Sequence, residues 1–168
     1  MRVFTAWRIG TPEGAENLLG AVRALADRGV IQIDDAAIVS WPEGRNMPTT
    51  RDLGSLTGPG LLWSGFWGMM FGVIFLVPAG GLAFGASAGA IAGSLSDFGI
   101  GERFIVDLRD SIVPGSSALV ALSEGESVDR MVKALDRDEL ELVRSELTPQ
   151  QEARLRRALV EGPAGETP

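Results

Sequence analysis

Residues 81–96 read GLAFGASAGAIAGSLS, and Gly81, Gly85, Gly89 and Gly93 recur within them at a spacing of four. Glycines at this spacing line one face of an α-helix, where each costs about 1 kcal/mol relative to alanine. Such a face becomes stable when another helix backbone approaches it closely. We therefore predict that residues 81–96 form a helix that packs against a second helix.

A matching first helix is predicted over residues 61–77, ahead of a turn at Pro78-Ala79-Gly80. Small residues again fall four apart along it, at Gly60, Ser64, Gly68 and Gly72. No ionisable side chain occurs from Leu53 to Ser96. We interpret residues 61–96 as a glycine-zipper helical hairpin.

The hairpin is expected to meet a lipid bilayer. Each arm is roughly 25 Å long, against about 30 Å of hydrocarbon, which favours a re-entrant or barely spanning hairpin over two full crossings. Trp63 and Trp67 lie near its base, where we expect them at the level of the lipid headgroups. Since residues 1–10 show no secretory signal, the predicted location is the cytoplasmic side of the inner membrane.

A second face of small residues in the second arm predicts a homo-oligomer. This face carries Ala83, Ser87, Ala90 and Ser94. Two small faces suggest two close neighbours, the first arm and a helix of another subunit. The same composition also fits an Ala/Gly-rich buried helix, or a soluble cytoplasmic assembly whose core is a bundle of hairpins.

The flanking segments alternate between strand and helix patterns. Strands are predicted over Val3–Ile9, Val30–Trp41, Ser117–Leu122 and Leu140–Leu147, and helices after Thr11, over Glu102–Ile112 and from Ser127. Thr148 to Gln151 match the T-x-x-Q capping box of a further helix. Apart from the excursion, the order is βαββαβ, which predicts an α+β fold, a ferredoxin-like sandwich with an extra C-terminal helix.

The predicted organisation has one discontinuous ferredoxin-like domain, formed by residues 1–42 and 114–160. Residues 43–60 are assigned to a linker, 61–96 to the hairpin, 97–113 to a connecting helix and 161–168 to a disordered tail. The excursion replaces a simple turn between the second and third strands. Both ends of the hairpin are therefore expected to emerge from the same end of the sheet.

Composition narrows the possible chemistry. The net charge is −7, and Lys133 is the only lysine, so nucleic acid is not an expected partner. The chain has no histidine, cysteine or tyrosine, which leaves acid–base work to Asp, Glu or Lys133 with strongly shifted pKa values. We predict no enzymatic activity, no catalytic residues, no cofactor and no metal.

Four polar or glycine-rich motifs are candidate binding sites. Asp34 and Asp35 could bind a cation, but adjacent strand residues point to opposite faces, so we interpret the pair as a bulge or an exposed edge. The Gly58-Pro59-Gly60 motif lacks the spacing of a phosphate loop. Residues 114–117 are interpreted as a turn into a strand. Asp97 could pair with Arg103 or begin a helix.

Residues 95–100 (LSDFGI), the helix with Phe104-Ile105 and residues 114–119 (PGSSAL) together resemble the DUF1269 family. The resemblance extends to residues 25–39 and to the hairpin. It implies a bacterial glycine-zipper membrane protein of unknown function and brings no catalytic residues.

Two functions are therefore expected as alternatives. The first is a non-enzymatic, membrane-associated oligomeric scaffold in envelope or stress physiology, its cytoplasmic α+β domain anchored by the hairpin. The second is a soluble homo-oligomeric binding module, with a pocket on the open sheet face or between subunits.

Overall fold

The computed structural model describes residues 2–57, 66–76, 100, 102–135, 140–146, 148–151 and 153. Within them the chain forms five strands and four longer helices. In chain order these are β1 Arg2–Ile9, α1 Gly14–Asp27, β2 Ile33–Trp41, β3 Thr49–Gly54, α2 Phe66–Leu76, α3 Glu102–Ser111, β4 Ser116–Glu124, α4 Gly125–Ala134 and β5 Glu141–Glu146. The fold is mixed α+β.

The five strands form one antiparallel sheet in the order β3-β2-β4-β1-β5. The central strand β4 pairs with its neighbour β1 along the whole length of β1, from Arg2 opposite Glu124 to Ile9 opposite Ser117. Strand β4 has one half-buried residue, Glu124, and is otherwise buried. This position explains its continuous apolar sequence, because a central strand covered on both faces needs no polar alternation.

Helices α1 and α4 cover one face of the sheet. The helix predicted after Thr11 is confirmed as α1, and its residues Ala15, Leu18, Leu19 and Val22 are all buried there. They pack with strand residues that include Val3, Trp7, Ile33 and Leu119.

Helices α2 and α3 cover the opposite face. Phe66, Trp67, Met70, Phe71 and Ile74 of α2 are buried against it, together with Phe104, Ile105 and Leu108 of α3. Strand residues Phe4, Ala6, Val39 and Val120 form the floor of this core. The face that a binding module would have kept open is therefore occupied by α2 and by the apolar side of α3.

Helices α2 and α3 run in the same direction along the sheet. Helix α2 begins beside Asp35 and ends beside Trp41, whose ring centroid lies 6.2 Å from that of Phe75. Helix α3 ends beside Arg8, which donates from Nε to the carbonyl of Ser111 at 2.6 Å. Because β1 and β2 are both antiparallel to β4, Arg8 and Trp41 lie at the same end of the sheet.

Residues 49–54, within the stretch assigned to a linker, form the edge strand β3. It pairs with β2 from Ser40 opposite Thr49 to Ala36 opposite Gly54. Strand β3 is mostly exposed and carries Arg51 and Asp52, so it lacks the alternating pattern that reveals a half-buried strand. It returns the chain to the Asp35 end of the sheet, so α2 starts at that end and not beside Trp41.

The predicted capping box is confirmed. The backbone N–H of Gln151 donates to Thr148 Oγ1 at 3.2 Å, and the backbone N–H of Thr148 donates to Gln151 Oε1 at 2.8 Å. The reciprocal bonds satisfy two backbone donors at the start of a helix.

Candidate functional site

The candidate site is the junction between α2 and the sheet, where the uncharged stretch of sequence enters the folded domain. Its position depends on an irregularity in β2. The pairing of β2 with β4 shifts register between Ile33 and Asp35, which leaves Asp34 as the extra residue. Of the two interpretations of the acid pair, a bulge or an exposed edge, the structure shows the bulge.

The bulge decides which face Asp35 occupies. Ile33 and Ala36 both belong to the core under α1 and α4, although three positions separate them. In regular alternation they would lie on opposite faces. The extra residue restores Ala36 to the α1 face and places Asp35 on the α2 face.

Asp35 receives the indole of Trp67 inside this core. Trp67 Nε1 donates to Asp35 Oδ1 at 2.9 Å, and the backbone N–H of Ala36 donates to the same oxygen at 3.1 Å. Asp35 is 3% exposed and Trp67 is 2% exposed. A buried carboxylate requires such donors, because an unpaired polar group costs about 1–3 kcal/mol in a dry core.

Stacked and edge-on rings continue from Trp67 in both directions. Phe4 on β1 stacks on Phe66 at a centroid distance of 5.9 Å and meets Trp67 edge-on at 6.3 Å. Trp67 stacks on Phe71 at 6.0 Å, and Phe71 on Phe75 at 6.2 Å. Aromatic pairs in these geometries contribute about 0.5–1.5 kcal/mol each to stability, beyond the contribution of the area they bury. They therefore stabilise the packing of α2 against the sheet.

A second polar contact holds the far end of α2. Arg109 of α3 donates from Nε to the carbonyl of Ile74 at 2.8 Å. Ile74 lies in the last turn of α2, where carbonyl groups have no helical partner and a cation is favoured by the helix dipole. This bond ties α2 to α3 at the point where the chain leaves α2.

Asp34 belongs to a small charged cluster at the Asp35 end of the sheet. Arg2 Nε lies 3.2 Å from Asp34 Oδ2, and Arg2 Nη1 lies 3.7 Å from Glu124 Oε1. Burial raises the pKa of Asp34 above its ordinary value of 3.8, although Arg2 acts in the opposite direction. The charges of the cluster pair with one another. We therefore interpret the cluster as stabilising the strand ends.

Most of the predicted zipper residues lie outside the described part of the chain. These are Gly60, Ser64, Gly81, Gly85, Gly89, Gly93, the second small face at Ala83, Ser87, Ala90 and Ser94, and Trp63. Of the described ones, Gly68 is exposed and Gly72 is half-buried, both on α2. Trp67, expected at the lipid headgroups, is placed in the core instead.

The motif at residues 114–117 serves the fold. Gly115 has a φ of +89°, which favours glycine at this turn into β4. Ser117 Oγ accepts from the backbone N–H of Ala15 at 2.9 Å and donates to the carbonyl of Thr11 at 2.6 Å. Asp97 and the Gly58-Pro59-Gly60 motif lie outside the described residues.

A polar cleft of about 590 Å³ lies between α3 and β5. Asp107, Asp110, Ser111 and Glu141 line it around Arg8. Arg8 already binds the Ser111 carbonyl, and its Nη1 lies 3.6 Å from Glu141. Within the described residues, no three His, Cys, Asp or Glu side chains are grouped so that they could hold a metal ion.

Asp35 is the residue whose role the sequence did not reveal. Pattern alone marked the acid pair as irregular, but the partner of Asp35 lies far along the chain. The available signal was an acid inside an otherwise apolar strand, followed by tryptophans in an uncharged segment.

Comparison with known proteins gives one match. A family model described as a protein of unknown function, DUF1269, matches residues 61–160. No curated protein and no solved structure matches the chain. None of the helices that the structure describes has both the length and the apolar character needed to cross a membrane.

Proposed function

The chain belongs to the DUF1269 family of proteins of unknown function, and we propose that it is a non-enzymatic, membrane-associated oligomeric scaffold. In this proposal the α+β domain lies on the cytoplasmic side of the inner membrane, in envelope or stress physiology. The uncharged segment that follows α2 makes the contacts with lipid and with other copies of the chain.

One observation carries the proposal. The uncharged segment is anchored to the domain at Trp67, which is hydrogen-bonded to Asp35, and again at Ile74, whose carbonyl accepts from Arg109. Residues 77–96 continue without an ionisable side chain. Because these two contacts fix the segment to the domain, binding of the segment to a membrane would also hold the domain at that membrane, as a scaffold requires.

The proposal includes a ferredoxin-like core. Omitting β3, α2 and α3 leaves β1-α1-β2-β4-α4-β5, an antiparallel sheet with both remaining helices on one face. This arrangement supports the assignment, because the βαββαβ motif has the same element order. Strand β3 and helices α2 and α3 are then additions within the connection from β2 to β4.

Membrane association is tested by flotation of the full chain with vesicles of phosphatidylethanolamine and phosphatidylglycerol. Ile91→Glu places a charge in the uncharged segment and is expected to lower the floated fraction at least about tenfold. Val106→Glu is the matched control, since Val106 is 41% exposed on α3 and should tolerate the charge. Equal flotation of both variants with the wild type would refute the lipid contact.

A soluble homo-oligomeric module remains the alternative. It is favoured by the burial of α2 on the sheet, which withdraws the first arm from lipid. Measurement of molecular mass in buffer with and without detergent separates the two functions. A homo-oligomer of unchanged mass in both conditions, with no flotation, would support the soluble module.

A further inference from the structure

Two apolar side chains are exposed at the end of the sheet where Trp41 lies. Met47, in the loop between β2 and β3, is 46% exposed, and Val113, in the turn between α3 and β4, is 42% exposed. Single exposed apolar side chains are common on protein surfaces. These two, however, lie in connections that meet the neighbouring strands β2 and β4 at the same end of the sheet, because Trp41 pairs with Ser116.

Trp41 connects the two segments. The backbone N–H of Gly115 donates to the Trp41 carbonyl at 2.6 Å, which holds the turn of Val113 beside β2. Trp41 Nε1 donates to the carbonyl of Arg45 at 2.8 Å, in the loop that carries Met47. Because the indole N–H already has a partner, this half-buried ring can meet apolar surroundings without leaving an unpaired donor.

Helix α2 ends beside Trp41, and the uncharged sequence continues from there. Phe75, in the last turn of α2, is half-buried, and its ring meets that of Trp41 edge-on. Residues 77–96, which follow Leu76, contain no ionisable side chain. The chain therefore leaves α2 as apolar sequence at the same end of the sheet as the two exposed side chains.

The loop between β2 and β3 carries no net charge, since its ionisable side chains are one acid, Glu43, and one base, Arg45. The polar cleft around Arg8 lies at the same end but toward β5, on the other side of β4. The apolar surface is thus limited to the side of β2 and β4. Exposed apolar side chains around a tryptophan fit a lipid interface, where tryptophan is enriched.

We propose that Trp41, Met47 and Val113, together the Trp41 face, form the surface of the domain that contacts lipid. The inference rests on the proposed function, since it names which face of the α+β domain meets the membrane. In this orientation the C-terminal end of α2 points toward the bilayer. The tryptophan at the level of the headgroups is then Trp41, because Trp67 is buried in the core.

Site-specific labelling tests the orientation, because the chain has no cysteine. The Met47→Cys variant of the full chain is labelled with the environment-sensitive fluorophore NBD and mixed with vesicles of phosphatidylethanolamine and phosphatidylglycerol. We expect the NBD emission to rise at least about twofold and to shift to shorter wavelength, as a label entering the lipid interface does. Val30→Cys is the matched control, since Val30 is 37% exposed at the opposite end of the sheet. No response of Met47→Cys, or equal responses of both variants, would overturn the proposal.

Flotation with the same vesicles gives a second measurement without a label. Met47→Glu combined with Val113→Glu should lower the floated fraction at least about fivefold, because two carboxylates would have to enter the lipid interface. Val30→Glu combined with Val132→Glu is the matched control, with exposures of 37% and 45% on other surfaces of the domain. Circular dichroism verifies that both double variants are folded. Equal losses of flotation in the two would contradict the assignment of the Trp41 face.

The two proposals fail in different ways. Absent flotation of the wild type would refute the membrane association and the Trp41 face with it. If Ile91→Glu lowers flotation while Met47→Glu with Val113→Glu floats like the wild type, the membrane association stands and only the Trp41 face is refuted. An NBD response of Met47→Cys that follows protein concentration in lipid-free buffer would assign this face to a second copy of the chain and would also overturn the lipid contact.

Discussion

Asp35 and Trp67 are separated by 32 positions in the sequence, and they meet through a 2.9 Å hydrogen bond inside the core. The contact requires the bulge at Asp34, which rotates Asp35 toward α2, and the docking of α2 along β2. It joins the first turn of α2 to strand β2. The stability of that joint can be tested directly.

Trp67→Phe should lower the free energy of unfolding by about 1.5–3 kcal/mol, because it removes one donor from a buried carboxylate and some apolar contact. Urea denaturation followed by circular dichroism measures the loss. Trp41→Phe is the control, since the Trp41 indole donates to the Arg45 carbonyl at an exposed position. We expect the control to lose less than half as much, and equal losses would contradict the special role of the Asp35 contact.

Arg109→Ala should loosen the end of α2. Removal of the guanidinium leaves the Ile74 carbonyl without this donor and should cost about 0.5–1 kcal/mol. Relative to the wild type, the variant should show faster hydrogen exchange at the α2 amides, by a larger factor than at the α1 amides. Arg103→Ala serves as the comparison, since the Arg103 side chain is 93% exposed and lies 3.9 Å from Asp107. An unchanged exchange rate in α2 would show that Arg109 does not support the helix end.

Ser117 and Ser123 provide a matched pair on one strand. Both are buried on β4, but Ser117 Oγ bonds Ala15 and Thr11, whereas Ser123 Oγ finds no partner among the described residues. Ser117→Ala should therefore cost about 1–3 kcal/mol. Ser123→Ala should be neutral or stabilising, because it removes an unsatisfied buried hydroxyl. Thermal denaturation of both variants measures the two effects. A larger loss of stability for Ser123→Ala than for Ser117→Ala would refute the hydrogen-bond argument.

Asp34 should make stability depend on pH in a defined direction. Burial raises its pKa in the folded state above 3.8, so the folded protein binds this proton more tightly than the unfolded chain does. The stabilisation is complete below the unfolded-state pKa and is lost as pH rises through the folded-state pKa. Relative to the wild type, Asp34→Asn should therefore gain stability between about pH 3 and about pH 7. Urea midpoints at the two pH values test this, and a relative loss at the higher pH would mean that Arg2 outweighs burial.

Much of the local structure was predictable from the chain. The strand over Val3–Ile9, the helix after Thr11 and the Thr148–Gln151 capping box follow from local patterns, whose physical causes act within a few residues. The acid pair indicated either a bulge or an exposed edge, and the structure shows the bulge in β2. The membrane contact, the zipper and the oligomer are still predictions.

Other features were not predictable from local patterns. Strand β3 is exposed at the sheet edge, so its sequence carries no burial signal. Helix α2 is apolar on every side and therefore gives no indication of which side meets the sheet. For the same reason Trp67 was expected at a lipid interface, whereas the structure buries it in the core.

By itself, the sequence determined the helix and strand segments outside the excursion, the irregularity at the acid pair and the absence of charge from Leu53 to Ser96, because each depends on neighbouring residues. Only the tertiary structure decided that α2 lies flat on the sheet, parallel to α3, with Trp67 bound to Asp35. Those outcomes depend on long-range pairing of β3 with β2 and on the packing of aromatic rings. A uniformly apolar helix cannot specify such contacts until the surface that receives it has formed.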